Sequence, residues 1–199
     1  GFTLGGAISN ANSLTKNGAG TLTLSGISSF TGQTIVTGGS LNVTGMIASS
    51  PVTLQTGAML TGTGTVGAVM AQSGSTISPG SATGAVGTLR INGSLTLAAD
   101  STLALDLTPT MGQDQIIATG VVMLGGNLVI TPNAAAGFGQ NITIASGSSV
   151  SGSFANTTIA GPSASAFTAR VVINGASAML QLAPNSLVTL GGAGLGANG

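Results

Sequence analysis

The chain has 199 residues, no formal net charge and six charged side chains: Lys16, Arg90, Arg170, Asp100, Asp106 and Asp114. Glycine (34), threonine (27) and serine (23) dominate, while Glu, His, Cys, Trp and Tyr are absent. No Ser-His-Asp or Cys-His arrangement can therefore form within the chain. Zinc and most transition metals lack their preferred ligands, and three basic residues are too few for a nucleic-acid backbone.

Charged residues make up 3% of the chain, against about 25% in an average soluble domain. The mean hydropathy of +0.57 argues against disorder, which pairs low hydrophobicity with high net charge. Collagen is excluded, because the glycines lack a three-residue period. No apolar run reaches the roughly 18 to 20 residues of a membrane helix. No signal peptide is expected at the N-terminus. Without cysteine the chain suits the cytosol, or a secreted protein that stays unlocked in transit.

Along the chain, one phrase recurs: Gly, a small polar residue, Leu, any residue, then Leu, Val or Ile. It begins at Gly20-Thr21-Leu22-Thr23-Leu24 and returns at Gly39-Ser40-Leu41-Asn42-Val43. Further copies are Gly87-Thr88-Leu89-Arg90-Ile91, Gly93-Ser94-Leu95-Thr96-Leu97 and Gly126-Asn127-Leu128-Val129-Ile130. Looser versions start at Ala58 and Ser101. Leu22, Leu41 and Leu60 are spaced 19 residues apart, after which the period drifts.

Each phrase alternates apolar and polar residues, the period of a half-buried strand. Val52-Thr53-Leu54, Ile142-Thr143-Ile144 and Leu187-Val188-Thr189-Leu190 do the same. Helix formers are scarce, and Asn133–Gly137 is expected to be a loop. Short strands of this kind build either an antiparallel sandwich or a solenoid. Five Phe and no Trp or Tyr disfavour the aromatic core of a sandwich. The spacing and the aliphatic rows point to a right-handed parallel β-helix. About eight to ten coils at about 4.8 Å each would give a rod roughly 40–45 Å long. The inward rows would include Leu22, Leu24, Leu41, Val43, Leu60, Leu95, Leu97, Leu103, Leu105, Leu128 and Ile130, and outward Thr and Ser would form ladders between coils.

The charged residues read as structural. Asp100 and Asp114 are expected in turns and Asp106 on the solvent face of Leu103–Leu107, with no calcium loop around them. Lys16, Arg90 and Arg170 are expected to be solvated. Ser78-Pro79-Gly80 reads as a turn rather than an exposed nucleophile. Gly62-Thr63-Gly64-Thr65-Val66-Gly67 lacks the following helix that a nucleotide-binding loop requires. No catalytic, cofactor-binding or metal-binding residue is therefore assigned. Enzymatic activity, including that of a lyase or esterase, is not expected.

The N-terminal fifth carries a longer pattern. Leu14-Thr15-Lys16-Asn17-Gly18-Ala19-Gly20-Thr21-Leu22-Thr23-Leu24-Ser25-Gly26 leads to Phe30-Thr31-Gly32-Gln33-Thr34-Ile35-Val36 and Gly38-Gly39-Ser40-Leu41-Asn42-Val43. It resembles the passenger-associated transport repeat of bacterial autotransporters, the type V secreted proteins. Later phrases resemble the C-terminal part of such passengers. They are Ile77-Ser78-Pro79-Gly80, Gly87–Gly93, Asp114–Gly120 and Val150–Ala155. The resemblance covers roughly residues 15–182.

It implies a right-handed β-helical stem at the cell surface of a Gram-negative bacterium, exported through an outer-membrane β-barrel translocator. The family's autochaperone region, which nucleates folding of the other coils, would correspond to residues 75–182. A single stem would span 1–182, with the repeat at 14–45 and a final strand and Gly-rich tail at 183–199. The family continues into a linker helix and a membrane barrel, which Ala183–Gly199 does not resemble. Residues 191–199 read as a flexible terminus, or as a segment that orders on contact with another chain. Two further expectations follow from the residues: end-to-end or strand-exchange stacking into a filament, because solenoid ends are unpaired edges and net charge is absent, and weak glycan or surface binding along the Thr/Ser/Asn ladders.

Overall fold

Alternating side chains in glycine-punctuated segments give short strands, and stacking those strands buries their aliphatic face. The computed structural model describes residues 1–80, 85–108, 112–132, 141–161, 164 and 167–184. It contains two sheets and, among the described residues, no α-helix. The first sheet runs β1 (Phe2–Leu4), β3 (Thr21–Leu24), β5 (Gly39–Val43), β8 (Ala58–Gly62), β10 (Thr76–Pro79), β12 (Thr102–Leu107), β15 (Asn127–Pro132) and β18 (Asn156–Ile159). Every pairing in it is parallel.

The second sheet runs β2 (Leu14–Lys16), β4 (Thr34–Val36), β7 (Val52–Leu54), β9 (Thr65–Ala71), β11 (Thr88–Leu97), β13 (Gln115–Ala118) and β16 (Asn141–Ser146), again in parallel. The short strands β6 (Met46–Ile47), β14 (Val121–Leu124) and β17 (Ser149–Gly152) extend it sideways. From β1 to β18 the chain returns to the first sheet after every visit to the second. That path is consistent with a β-solenoid.

Register makes the repeat concrete. Leu22 pairs with Leu41, Leu41 with Leu60, Leu60 with Ile77, Ile77 with Leu103 and Leu103 with Leu128. A second column stacks Val52, Val69, Leu95, Val122 and Val150. A third stacks Ile47, Val66, Ile91 and Ala118. All of these side chains are buried except Leu22, which is half-buried and packs on the same continuous core. The other proposed inward residues are buried as well. Full burial of each Leu, Ile or Val stabilises by about 1.5–3 kcal/mol, so the columns are the dominant stabilising feature.

The second sheet bends within β11, whose register with β9 shifts between Asn92 and Leu95. Gly93 sits at that shift with φ +141, against the backbone of Ala68 in the coil below. A β-bulge of this kind turns a strand. Gly126 serves a tight turn in the same way: φ is +63, and a Cβ there would run into the Ser101 carbonyl.

One element departs from a purely parallel stack. β20 (Ser177–Pro184) pairs antiparallel to β16, and β19 (Phe167–Asn174) pairs antiparallel to β20. The cause is local. Gly175 and Ala176 form a two-residue turn with Gly175 at φ +57, and glycine at the first turn position suits a hairpin. Ala178, Leu180 and Leu182 still point into the core. Side chains also bond between coils, among them Asn42 Nδ2 to Thr23 Oγ1 (3.3 Å), Gln33 Nε2 to Thr53 Oγ1 (2.9 Å) and Asn156 Nδ2 to Asn127 Oδ1 (2.9 Å). Threonine hydroxyls take part as acceptors, with amides as the donors. The expected loop at Asn133–Gly137, the strand at Leu187–Leu190 and the tail at 191–199 lie outside the described residues.

Candidate functional site

The few ionisable side chains are where chemistry would have to reside. Lys16 is a correction: it is buried, 8% exposed, not solvated. It shares the parity of Leu14 within β2, so alternation turns it inward, above Val36 and Leu54 in the same column. Its Nζ donates to the carbonyls of Gly18 (2.7 Å), Gly38 (2.9 Å) and Asn17 (3.0 Å). The ammonium's three donors are thereby matched, and the turn after β2 is tied to the turn of the next coil.

Asp114 is a second correction. It does precede β13, but no part of it is exposed. Its carboxylate accepts from the backbone N–H groups of Gly87 (2.7 Å) and Asp106 (2.9 Å). Burial pushes its pKa up to about 6. The two backbone bonds oppose the rise, and the Asp106 charge adds to it. Asp106 lies on the outer side of β12, alternating with buried Leu105 and Leu107, and Asp100 occupies an exposed turn at φ +62. Arg90 and Arg170 are exposed on β11 and β19, as alternation predicts. Asp106 and Asp114 are the two charged groups brought next to each other, and no group of three potential metal ligands exists among the described residues.

Ser78 and Pro79 end β10 instead of forming a turn, and Gly80 continues into an isolated bridge with Gly62. Gly62, Gly64 and Gly67 pack against the carbonyls of Val43, Gly45 and Ser50 in the coil below. Their spacing answers to close stacking of backbones rather than to phosphate. Sequence reading also missed a buried hydroxyl pair, Thr34 Oγ1 and Ser50 Oγ at 2.7 Å, whose Ser50 Oγ reaches the Gly32 carbonyl at 2.7 Å. Alternation signalled the Lys16 and Thr34 positions, but not the partners that make burial tolerable.

A concavity on the outer face of the first sheet crosses its strands and holds about 400 Å³. Thr21, Asn42, Met59, Thr61, Asp106 and Thr131 are among its walls. Its lining sets hydroxyl, amide and carboxylate groups among the apolar surface of Met59 and Ala104, and no aromatic side chain lines it.

Residues 14–43 match the family model described as the passenger-associated-transport-repeat. This segment is an autotransporter passenger-type repeat. The passenger repeat comprises β2 to β5, the two successive coils that Lys16 ties together. Within it, Leu22 and Leu41 belong to the first column, and Gly39, at φ +64, packs against the carbonyls of Gly18 and Gly20. A passenger repeat implies a secreted or surface-displayed protein of a Gram-negative bacterium and an outer-membrane translocator as partner. No curated protein matches the chain. No helix among the described residues is long and apolar enough to cross a membrane.

Proposed function

We propose that the chain is part of the extracellular stem of an autotransporter-type surface protein, a right-handed parallel β-helix of about eight to ten coils. Its work is mechanical. It supports export through the outer-membrane translocator, templates folding coil upon coil, and displays what it carries at the surface, as an adhesin stem does. Residues 75–182 act as the autochaperone part. Continuity of register through the passenger repeat carries this reading: Leu22, Leu41 and Leu60 form one column that Ile77, Leu103 and Leu128 extend. Nearest-neighbour stacking lets order propagate along such a rod. The scarcity of ionisable groups, with no His or Cys, supports a non-catalytic role.

Fusing the chain to an outer-membrane translocator barrel tests the reading. Intact cells should display it as a protease-resistant fragment, and deleting residues 14–43 should reduce both display and resistance. Retention of the intact fusion inside the cell would refute it. A second reading, a filament subunit, draws on the zero net charge, which leaves no electrostatic repulsion between copies. Electron microscopy of the purified chain separates the two, with short rods for the stem and long uniform fibres for the filament.

A further inference from the structure

Asp114 joins segments that are distant in sequence. Oδ1 meets the N–H of Gly87, at the entry to β11, and Oδ2 meets the N–H of Asp106, within β12. The backbone N–H of Asp114 donates to the Asp106 carbonyl at 2.9 Å. Gly80 lies alongside, where a Cβ would sit 3.5 Å from Oδ1. One buried carboxyl thus braces the entry to β11, the middle of β12 and the approach to β13.

We propose that Asp114 is a proton-operated clasp. When protonated, it holds the entry to β11 against β12. When ionised, it favours a locally open form in which the carboxylate reaches water.

The balance of charge around it supports this. Asp106, on β12, is the ionisable neighbour that acts on it, and it repels the anion. Arg90 is the charged residue of β11, with its side chain exposed. β10, β13 and the segments 80–87 and 107–113 contain no other ionisable side chain. A protonated carboxyl still offers an acceptor lone pair to each N–H, so both bonds survive protonation. The folded carboxyl titrates near 6 against an ordinary 3.8. A raised folded value means that the clasp's stabilisation is fully present below about pH 3.8 and is lost as pH climbs through about 6. A difference of this size corresponds to roughly a hundredfold change in the opening equilibrium.

Nuclear magnetic resonance on the intact chain tests the clasp. The Asp114 carboxyl carbon should titrate near pH 6. The exchange protection factors of the Gly87 and Asp106 amides should fall about tenfold or more between pH 5 and 7.5. Asp114→Asn keeps one acceptor but turns an amide N–H toward a backbone N–H, so protection should be low and independent of pH. Should that variant not fold, Asp106→Asn gives the second reading, because removing its charge should lower the Asp114 midpoint. A carboxyl that titrates at 4 or below, protection factors that do not change with pH, or an Asp114 midpoint unmoved in Asp106→Asn would overturn the proposal.

Discussion

The first coils and the last ones solve the same stacking problem with different lengths of chain. Between Leu22 and Ile77 the column repeats every 19, 19 and 17 residues, with Leu41 and Leu60 as the intermediate members. From Ile77 to Leu103 the step is 26 residues, to Leu128 it is 25, and to Thr157 it is 29. The core residues remain in register from Leu22 to Leu128, while Thr157 above Leu128 is exposed, so the extra residues are absorbed between strands. Side-chain columns thus fix what a coil must contain, while turn length is free to vary. Glycines packed against backbone serve both groups of coils, and the early ones add the Lys16 cradle. The later coils depend on the Asp114 brace and close with an antiparallel hairpin.

A charge placed in a shared column should erase the contrast. Leu95 is fully buried between Val69 and Val122, and an unpaired carboxylate there costs several kcal/mol. Leu95→Asp should abolish the cooperative melt seen by circular dichroism. A native-like melt would mean that the columns do not hold the two regions together.

Loss of the lysine should sharpen the contrast. Lys16→Met removes three charge-assisted bonds and leaves three carbonyls without the ammonium, a loss of about 2–3 kcal/mol. Limited proteolysis should then cut within residues 14–43 while leaving β11 to β16 protected. Equal cleavage in both regions would show that Lys16 supports the whole stack and not its own coil.

The smallest effect is expected at Arg90, whose side chain is exposed and whose backbone N–H donates to the Gly64 carbonyl of the coil below (3.0 Å). Arg90→Ala should shift stability by no more than about 0.5 kcal/mol in denaturant titration. A larger loss would reveal an outer-face contact on which the later coils depend.

The columns were legible because period two assigns a face to every residue, and a spacing of 19 aligns Leu22, Leu41 and Leu60 in the sequence itself. The same parity points Lys16 inward. Its charge favours solvent, and only three carbonyls converging from two turns make the inward position tolerable. Asp114 lies just outside a strand, where alternation says nothing, and its burial depends on Gly87, 27 residues away. The hairpin had a local signal in Asn174-Gly175, but a run of parallel coils sets a strong expectation that the chain will continue in one direction. The passenger repeat was legible over residues 14–43 because its turns need glycine at fixed offsets from the leucines.

The terminal hairpin carries one more consequence. Two reversals cancel: β20 runs against β16 and β19 runs against β20, so β19, at the border of the second sheet, points the way the coils point. The hairpin thus interposes one reversed strand and then restores the original polarity. A strand of the coils' own direction could pair with β19 as another pairs with β16, so this bare β-edge keeps its capacity to recruit a neighbour.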